Sequence, residues 1–279
     1  MNPPQGALVS AGLAVDHGRA KSAADTGRSR SRLYAVPVRG RIRSSGWLTE
    51  ALYRCFEVLV ASIALVLALP LMPIVAVVVR LDSPGPALFF HRRPGRSKIV
   101  RGRDLEGRAD LRPPPGGFKT DSLYYVPADF TLVKFRTMYS DAGARFPEYY
   151  AYKFNPEEFH KQYPTIQDDP RVTRVGRVLR QLSVDELPNL WSVLTGNLRL
   201  VGPRPEALEV LQYYTPEEMY KFAYKPGITG LAQINGRGLL NWGETLFWDL
   251  EYGRRRSVAL DLKILFMTLI RVCTRHGAF

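Results

Sequence analysis

The feature that most constrains this chain is an uncharged apolar segment of 22 residues, Val58 to Val79. A run of that length is typical of a membrane segment rather than of a helix in a soluble core. Pro70 and Pro73 lie near its middle. Because proline lacks an amide hydrogen and clashes with the carbonyl four residues back, we predict that the helix breaks or kinks there.

The basic residues on the two sides of this segment bear on its topology. Residues 1–56 contain nine Lys and Arg against three Asp and Glu, and residues 80–119 contain ten against four. A spanning helix usually has one flank, the cytoplasmic one, richer in Lys and Arg. Two basic flanks fit a helix that enters the bilayer, bends at proline and leaves on the same side. An ordinary kinked spanning helix fits the length equally well, so the sequence leaves both arrangements open.

The composition of the 279 residues narrows the class of protein. A net charge of +13 indicates anionic partners, namely lipid headgroups, phosphates or nucleic acid. Cys55 and Cys273 stand near opposite ends, which is typical of a reducing compartment and not of a disulfide framework. The four histidines lie far apart, which argues against a histidine metal site. A magnesium ion held by carboxylate and phosphate remains compatible with the composition.

Composition also suggests where the domains begin and end. Residues 1–46 are rich in Ser, Gly, Ala and Arg, and we predict a disordered basic tail that lies against anionic lipid. Residues 47–82 are the membrane element with its lead-in helix. Residues 83–279 form the remaining domain, in which a proline- and glycine-rich insertion occupies about 97–129.

The patterns within the larger domain predict a mixture of helix and strand. Two strand-like runs, 87–91 and 131–136, flank the insertion and predict a β-hairpin. Residues 141–169 mix aromatic and charged side chains and predict an amphipathic helix at a surface. Residues 170–195 have a helical pattern, and the apolar helix from Val258 to Cys273 is too charged to cross a bilayer, so it is expected at an interface or in the core.

The densest chemical signal starts with four arginines spaced by three residues, Arg171, Arg174, Arg177 and Arg180. On a helix they fan over about half the circumference, away from an apolar stripe. Such an array can bind a diphosphate through its fork-shaped donors. A solvated or lipid-facing basic surface explains the first three equally well. Arg180 differs because it lies next to the acidic pair that follows.

Two neighbouring acids, Asp185 and Glu186, follow these arginines. With Ser183 they fit a helix-capping box, although Pro188 is placed more easily if Asp185 itself is the cap. In either register Asp185 lies at a helix N-terminus, which favours its ionised form and attracts phosphate. A carboxylate there can attack phosphorus and form an acyl phosphate. Capping and catalysis explain the pair about equally well.

Further polar residues stand at rigid or exposed positions. Arg204 lies between two prolines, which holds its guanidinium in a fixed place. Gln233, Asn235 and Arg237 follow the turn 226–230. Lys134 and Arg136 are two residues apart, so a strand would place both on one face.

Taken together, these segments resemble the bacterial sugar transferase family, the monotopic phosphoglycosyl transferases. The resemblance covers about residues 50–275 in order, and several long motifs make it specific. The matching runs are Arg93 to Gly95, Lys134 to Met138, Leu182 to Leu187 (LSVDEL), Leu194 to Pro205 (LTGNLRLVGPRP), Pro226 to Arg237 (PGITGLAQINGR), Asp249 with Tyr252, and Leu260 to Ile264 (LDLKI).

The resemblance implies a reaction. Members of this family transfer a sugar 1-phosphate from a UDP-sugar to undecaprenyl phosphate and release UMP, with magnesium, as the first membrane step of exopolysaccharide or glycan assembly. Asp185 matches the nucleophile that carries the phosphosugar and meets the magnesium ion together with substrate phosphate, and Glu186 matches its partner acid. The implied phosphate- and nucleotide-binding residues are Arg93, Lys134, Arg136, Arg180, Arg204, Gln233 and Arg237.

The resemblance also implies an architecture and a location. We expect an α+β, mostly helical monotopic domain with a re-entrant membrane helix, a small β-hairpin and interfacial amphipathic helices. It would lie on the cytoplasmic face of the bacterial inner membrane, and a homodimer is compatible with it. Pro70 stands where the family breaks its membrane helix, usually as Ser-Pro, but here Leu69 precedes it. The insertion and the basic tail also depart from the family pattern.

Two other classes of function are weighed against this one. The first is a catalytically inactive scaffold of a polysaccharide assembly complex, held at the membrane by the same segment. The acids at 185 and 186 argue against it. The second is a nucleic-acid binder driven by the net charge of +13. The chain has no face of interleaved aromatic and basic residues and no recognisable reading helix, so we expect no nucleic-acid partner.

Overall fold

The computed structural model describes residues 33–37, 46–108, 111–114, 116–150, 154–155 and 158–274. The predicted basic tail, residues 1–46, lies outside the described residues except at 33–37 and at position 46. Residues 33–37 form two short strands, so this part of the predicted tail has regular structure.

Helices make up most of the regular structure, as expected. The α-helices are α1 (Trp47–Ala68), α2 (Leu71–Asp82), α3 (Ala142–Arg145), α4 (Arg174–Leu182), α5 (Asn189–Leu194), α6 (Leu231–Asn235), α7 (Trp242–Arg255) and α8 (Val258–Thr274). The strands are β1 (Leu33–Tyr34), β2 (Val36–Pro37), β3 (Leu88–Arg101), β4 (Leu111–Arg112), β5 (Leu123–Phe135), β6 (Arg199–Val201) and β7 (Gly227–Thr229). Short 3₁₀ turns connect many of them.

The apolar segment is a broken helix, which confirms the predicted effect of proline. Helix α1 ends at Ala68, and α2 begins at Leu71 immediately after Pro70. Pro73 lies in the first turn of α2, where the missing amide hydrogen has no intrahelical partner to lose, so it does not interrupt the helix. Among the described residues, α1 is the one helix that is long and apolar enough to cross a bilayer.

The predicted hairpin is present and longer than expected. Strands β3 and β5 pair in antiparallel register from Leu88 opposite Phe135 to Arg101 opposite Leu123, with a register shift between Pro94 and Ser97. The segment predicted as a hairpin insertion, at about 97–129, therefore lengthens the same two strands. Strand β2 adds to the outer edge of β5. The parallel pairs β1–β4 and β6–β7 were not predicted.

One core joins the broken helix to the elements around the candidate site. Ala61 of α1 is fully buried and packs with residues of β5, α5, β6, α6, α7 and α8. A second cluster joins Val75 and Val79 of α2 to Phe135 of β5 and Leu179 of α4. Both halves of the broken helix are thus packed against the same domain.

The predicted amphipathic helix at 141–169 is wrong. The described part of this segment contains the four-residue helix α3 and short 3₁₀ turns at Pro147–Tyr150 and Phe159–Lys161. Two of its aromatic residues, Phe154 and Phe159, join a local core instead, in which Phe159 is fully buried and its ring lies 5.2 Å from that of Trp242, whereas Tyr150 and Tyr163 are exposed. Helix α8 agrees with the predicted C-terminal helix.

Candidate active site

A narrow cleft lies where β5, the turn before α5 and the β6–β7 region meet. We call it the Lys134 cleft; its volume is about 50 Å³. Its lining consists of Arg93, Leu132, Lys134, Glu186, Asn189, Leu198, Arg204, Pro205, Gly227, Ile228 and Gln233. Five residues predicted from the sequence as phosphate-binding or acidic site residues therefore line a single space, namely Arg93, Lys134, Glu186, Arg204 and Gln233.

The two predicted acids lie in a 3₁₀ turn, Val184–Glu186, between α4 and α5. Ser183 adopts a left-handed conformation (φ 57°) and ends α4, and its side chain makes no capping hydrogen bond in the described structure. Helix α5 is preceded by Pro188. Neither of the two residues considered as the cap, Ser183 or Asp185, is therefore the N-cap of α5, which is Pro188. Asp185 is 6 % exposed and lies beside the cleft, whereas Glu186 lies in its wall.

Asn189 fixes the position of Glu186. Its side-chain amide donates a hydrogen bond to Glu186 Oε2, while its Oδ1 accepts one from the backbone amide of Val133 at 3.0 Å. Asn189 is almost fully buried. It thereby ties the acidic turn to the strand that carries Lys134. Sequence reasoning missed this residue, although its position three residues after Glu186, on one side of a helical turn, was a usable signal.

The pKa of Lys134 depends on its burial and on the charges of both acids. Burial lowers the pKa of Lys134, the charges of Glu186 and Asp185 act to raise it, and Arg93 and Arg180 lower it further. The pKa lies below the ordinary value of lysine. The ammonium group is thus held near two carboxylates but is partly stripped of water, an environment that suits binding of a phosphate anion.

Arg180 approaches the same acids from the last turn of α4. Its Nε donates to Thr137 Oγ1 at 2.9 Å, and its pKa is lowered by burial despite the opposing charge of Asp185. Gly176 permits this arrangement, because a Cβ there would lie 2.1 Å from the carbonyl oxygen of Thr137. The close approach of α4 to the end of β5 therefore places Arg180 beside Asp185.

The remaining arginines of the predicted array have other roles. Arg171 precedes α4 and binds Asp169 with two nitrogens, and it lies over the rings of Tyr149 and Tyr150. Although burial acts to raise the pKa of Asp169, the hydrogen bonds from Arg171 lower it. Arg174 and Arg177 are exposed. The solvated-face alternative thus fits these two, while Arg171 is structural.

A buried charge cluster supports the loop that carries Arg204. Lys221 Nζ lies 2.8 Å from Asp249 Oδ2 and 3.6 Å from Glu206 Oε1, and Lys221 and Asp249 are fully buried. The other oxygen of Asp249 accepts a hydrogen bond from the backbone amide of Arg204 at 3.3 Å. The side chain of Arg204 remains exposed and lines the cleft.

Arg136 was predicted as a phosphate ligand, and in this structure its guanidinium is bound within the protein. Strand β5 ends at Phe135, so Arg136 does not share the face of Lys134. All five guanidinium donors are used locally: the acceptors are the carbonyl oxygens of Pro86, Met138, Val79 and Ser83 and the hydroxyl of Ser83. Since arginine has five N–H groups, none remains for a ligand. Arg136 instead binds the C-terminal end of α2.

The last two predicted ligands are Gln233 and Arg237, and of these the structure describes the side chain of Gln233 alone. Gln233 lines the cleft, and its Oε1 is buried without a hydrogen-bond partner among the described residues. That oxygen is available to a donor on a ligand. The backbone of Arg237 lies in a 3₁₀ turn, but its side chain lies outside the described residues.

The chain matches the family model named bacterial sugar transferase over residues 48–101 and 118–275. The gap in the match falls within the extended hairpin. This chain is also 32 % identical over 255 residues to the exopolysaccharide production protein ExoY of Rhizobium meliloti, a match that covers 90 % of this chain and 98 % of the relative.

Two further relatives carry names that state a reaction. The UDP-glucose:undecaprenyl-phosphate glucose-1-phosphate transferase of Caulobacter vibrioides is 34 % identical over 236 residues, which cover 81 % of this chain and 71 % of that protein. The undecaprenyl-phosphate galactose phosphotransferase of Salmonella typhimurium is 32 % identical over 229 residues, which cover 82 % of this chain and 42 % of that protein. The two names specify different sugars.

Proposed function

The chain belongs to the bacterial sugar transferase family and is a phosphoglycosyl transferase, and on that premise we propose that it transfers a hexose 1-phosphate from a UDP-sugar to undecaprenyl phosphate. In this proposal Asp185 forms the covalent phosphosugar intermediate, and UMP is released on the cytoplasmic face of the bacterial inner membrane. The product serves exopolysaccharide assembly. The hexose stays undefined, because sugar choice depends on a few pocket contacts.

The observation that carries the proposal is the grouping of two acids with cations at one cleft. Glu186 and Lys134 line it, and Asp185 lies beside it with Arg180 as a charged neighbour. The N-cap of α5 is Pro188, and Asp185 lies three residues before it in the 3₁₀ turn. A carboxylate among phosphate-binding cations is the arrangement required for attack on phosphorus.

The first step would form the intermediate. A carboxylate oxygen of Asp185 attacks the β-phosphorus of the UDP-sugar, the bond between that phosphorus and the bridging oxygen breaks, and UMP leaves with the oxygen. The product is an aspartyl phosphosugar. Lys134, Arg180 and Arg204 offset the negative charge that builds up on the phosphoryl oxygens.

The second step would regenerate the enzyme. An oxygen of undecaprenyl phosphate attacks the same phosphorus and displaces the carboxylate of Asp185, which yields the lipid diphosphate sugar. Glu186 is placed to accept or return a proton during these steps, because its hydrogen bond comes from the neutral amide of Asn189. A cleft of about 50 Å³ has room for one or two water molecules, so we propose that it opens to admit the nucleotide sugar.

Magnesium is a proposed cofactor that the site can hold only together with substrate. Among the described residues no group of three potential ligands from His, Cys, Asp and Glu occurs. Asp185 and Glu186 supply carboxylate oxygens, and magnesium is commonly bound by one or two carboxylates plus substrate phosphates. When bound, the ion would help to neutralise charge on the phosphates.

We propose further that α1 and α2 form a re-entrant membrane helix. Arg54 of α1 donates to the carbonyl oxygens of Val193 and Leu194 at 2.6 and 3.1 Å, and Arg136 donates to Val79 and Ser83 of the α2 end. Polar contacts thus hold both ends of the apolar segment to one domain. The arm from Glu57 to Ala68 is about 16 Å long, roughly half of the ~30 Å hydrocarbon core.

The proposed reaction is tested by Asp185→Asn, with Asp121→Asn as the control at an exposed position. UMP release with undecaprenyl phosphate should be abolished in the first variant and unchanged in the second. Mass spectrometry of the wild-type protein incubated with UDP-sugar alone should find a phosphosugar on the peptide that contains Asp185. Normal turnover of Asp185→Asn in properly folded protein would refute the covalent mechanism.

Topology is tested by single cysteines at Thr49 and Pro84, which are both exposed, after replacement of Cys55 and Cys273 by serine. Both positions should react with an impermeant maleimide in inverted membrane vesicles and be protected in right-side-out vesicles. Labelling of the two positions from opposite sides would establish a spanning helix and contradict the re-entrant arrangement.

A further inference from the structure

A second and larger basic pocket lies at the start of the broken helix. We call it the Lys225 pocket; its volume is about 400 Å³. Its lining consists of Glu50, Arg54, Glu57, Arg96, Arg199, Ala223, Tyr224, Lys225, Tyr252 and Arg256. It shares no lining residue with the Lys134 cleft, and the reaction proposed above does not use it.

The two carboxylates in this pocket are already bound. Glu57 is fully buried and accepts hydrogen bonds from Arg199 Nε at 3.2 Å and from the backbone amide of Leu200 at 2.9 Å. Glu50 binds Arg256 at 2.8 Å and Arg199 at 3.4 Å. Arg199 and Arg256 thus engage both acids, and of the other cations that line the pocket Arg54 alone lies within ion-pair distance of one of these two acids, Glu57.

Three cations therefore retain donors toward the cavity. Arg54 uses Nη2 on the end of α5, while its buried Nη1 has no hydrogen-bond partner among the described residues and lies 3.7 Å from Glu57 Oε2. Arg96 and Lys225 form no ion pair within the described part of the chain. A buried donor without an acceptor is costly, which indicates that a ligand normally supplies one.

The pKa of Lys225 reflects the same surplus of positive charge. Burial lowers the pKa of Lys225, and Arg54, Arg96 and Arg199 lower it further, while Glu57 only partly opposes them. An anion bound in the pocket would act in the opposite direction and raise the pKa of Lys225, because a nearby negative charge favours the ammonium form.

The position of the pocket indicates where that anion comes from. Its α1 residues lie immediately before the uncharged segment that begins at Val58, and Trp47 at the start of α1 is 82 % exposed. Tryptophan is enriched at membrane interfaces. On another side of the pocket, Arg256 lies two residues before the start of α8, whose Phe266 and Leu269 are 64 % and 66 % exposed. Two helices with exposed apolar residues therefore start at this pocket.

We propose that the Lys225 pocket binds the headgroup phosphate of an anionic phospholipid, with the acyl chains lying along the exposed apolar surfaces of α1 and α8. Arg54, Arg96 and Lys225 donate to the phosphate oxygens. The lipid would hold the start of the membrane helix against the domain. The same phosphate chemistry is found in soluble nucleotides and in polyprenyl phosphate, but the neighbouring apolar surfaces favour a phospholipid.

The test uses the full chain in detergent and the double variant Arg96→Gln/Lys225→Gln, with Lys119→Gln as the control. Lys119 is exposed and lies outside both cavities. Titration of short-chain phosphatidylglycerol followed by native mass spectrometry should show a loss of affinity of about ten-fold for each cation removed, since each donates to a charged group. The control and UDP binding should be unchanged, and phosphatidylcholine should bind the wild type more weakly, because its choline adds a positive charge.

Several outcomes would overturn the proposal. Unchanged affinity of the double variant for phosphatidylglycerol would remove the assigned site. An equal loss of UDP affinity would assign the pocket to the nucleotide, and a higher KM for undecaprenyl phosphate with intact phosphatidylglycerol binding would assign it to the acceptor lipid. Thermal unfolding without lipid checks the fold of the double variant, and Arg96→Gln alone, at an exposed position, replaces it if folding fails.

Discussion

The Lys134 cleft and the Lys225 pocket are both lined by several cations and by carboxylates, but the carboxylates differ in what binds them. In the pocket, Glu57 is fully buried and bound by Arg199. In the cleft, Glu186 accepts a hydrogen bond from the neutral amide of Asn189, and it forms no ion pair within the described residues. A carboxylate neutralised by arginine stabilises the fold, whereas one held by a neutral donor keeps its charge for chemistry.

The cations of the cleft and of the pocket also differ in how much negative charge lies near them. In the cleft, the charges of Glu186 and Asp185 both act on Lys134, so positive and negative charge are both present where a phosphate would react. In the pocket, the acids are engaged and positive charge is left over. Charge alternation suits attack by a carboxylate on a phosphate, while a surplus of cations suits static binding of an anion.

Within the comparison of the cleft with the pocket, the largest effect is expected for Glu186→Gln. The glutamine can still accept the hydrogen bond from Asn189, so the fold should be retained, but proton transfer by the carboxylate is lost. Loss of a general acid–base group typically lowers the rate about 10²–10⁴-fold. The measurement is kcat for UMP release, with circular dichroism and thermal unfolding as the check on folding.

Two outcomes for Glu186→Gln would contradict this prediction. Unchanged kcat would show that Glu186, like Glu57, serves the fold and not the reaction. A variant that unfolds would show that Glu186 is held for stability, and the contrast between cleft and pocket would then disappear.

The next largest effect is expected for Glu57→Gln, and it concerns stability. Removal of one partner from a buried ion pair typically costs about 3–5 kcal/mol in the free energy of unfolding, and here it leaves Arg199 with Glu50, which is more exposed, as its remaining acid. Turnover per folded molecule should stay the same. The measurement is thermal or denaturant unfolding in detergent.

Glu50→Gln is the matched control for Glu57→Gln. Glu50 binds Arg199 and Arg256, but its side chain is 31 % exposed, so its removal should cost about 1 kcal/mol or less. Equal losses in the two variants would mean that burial does not set the difference.

Prediction from the sequence succeeded where the cause is local. Proline at position 70 breaks a helix whatever surrounds it, and α1 and α2 are separated there. The hairpin was found because turn residues flank strand-like runs, although the strands extend beyond them to Arg101 and Leu123. The lining of the cleft by Lys134, Arg93 and Arg204 agrees with the motifs that suggested it.

Prediction failed where distant contacts decide the role of a residue. Arg136 stands in the same motif as Lys134, yet four of its five donors bind the end of α2 and the adjoining loop, and the fifth binds the carbonyl oxygen of Met138. The acids of the capping pattern lie in a 3₁₀ turn, because the left-handed Ser183 ends α4 before them. The Lys225 pocket was not predicted, since Glu57, Arg199 and Arg256 are far apart in sequence.

A smaller effect is expected from the pH dependence of Lys134. Burial lowers its pKa, and Lys134 must be an ammonium ion to bind phosphate, so kcat/KM should fall as the pH rises through that lowered pKa. In Lys134→Arg the positive charge persists to high pH. The fall of kcat/KM on the alkaline side should therefore shift to higher pH, even if activity near pH 7 falls roughly ten-fold. The measurement is kcat/KM between about pH 6 and 10.

The contrast with the pocket supplies the control for this pH profile. Lys225 also has a lowered pKa but lies outside the cleft, so Lys225→Gln should leave the alkaline limb of kcat/KM in place. A limb that moves in Lys225→Gln and not in Lys134→Arg would reverse the assignment of the two lysines.

The smallest effect is expected for the stability of Lys225→Gln, and its sign depends on lipid. Without lipid, removal of a cation from among Arg54, Arg96 and Arg199 relieves like-charge repulsion, so the free energy of unfolding should rise by up to about 0.5 kcal/mol. With excess phosphatidylglycerol the wild type gains more binding free energy than the variant, so the order of their Tm values should reverse. Thermal unfolding in detergent with and without the lipid measures both. An unchanged order in the two conditions would show that the surplus charge of the pocket is not matched by a lipid phosphate.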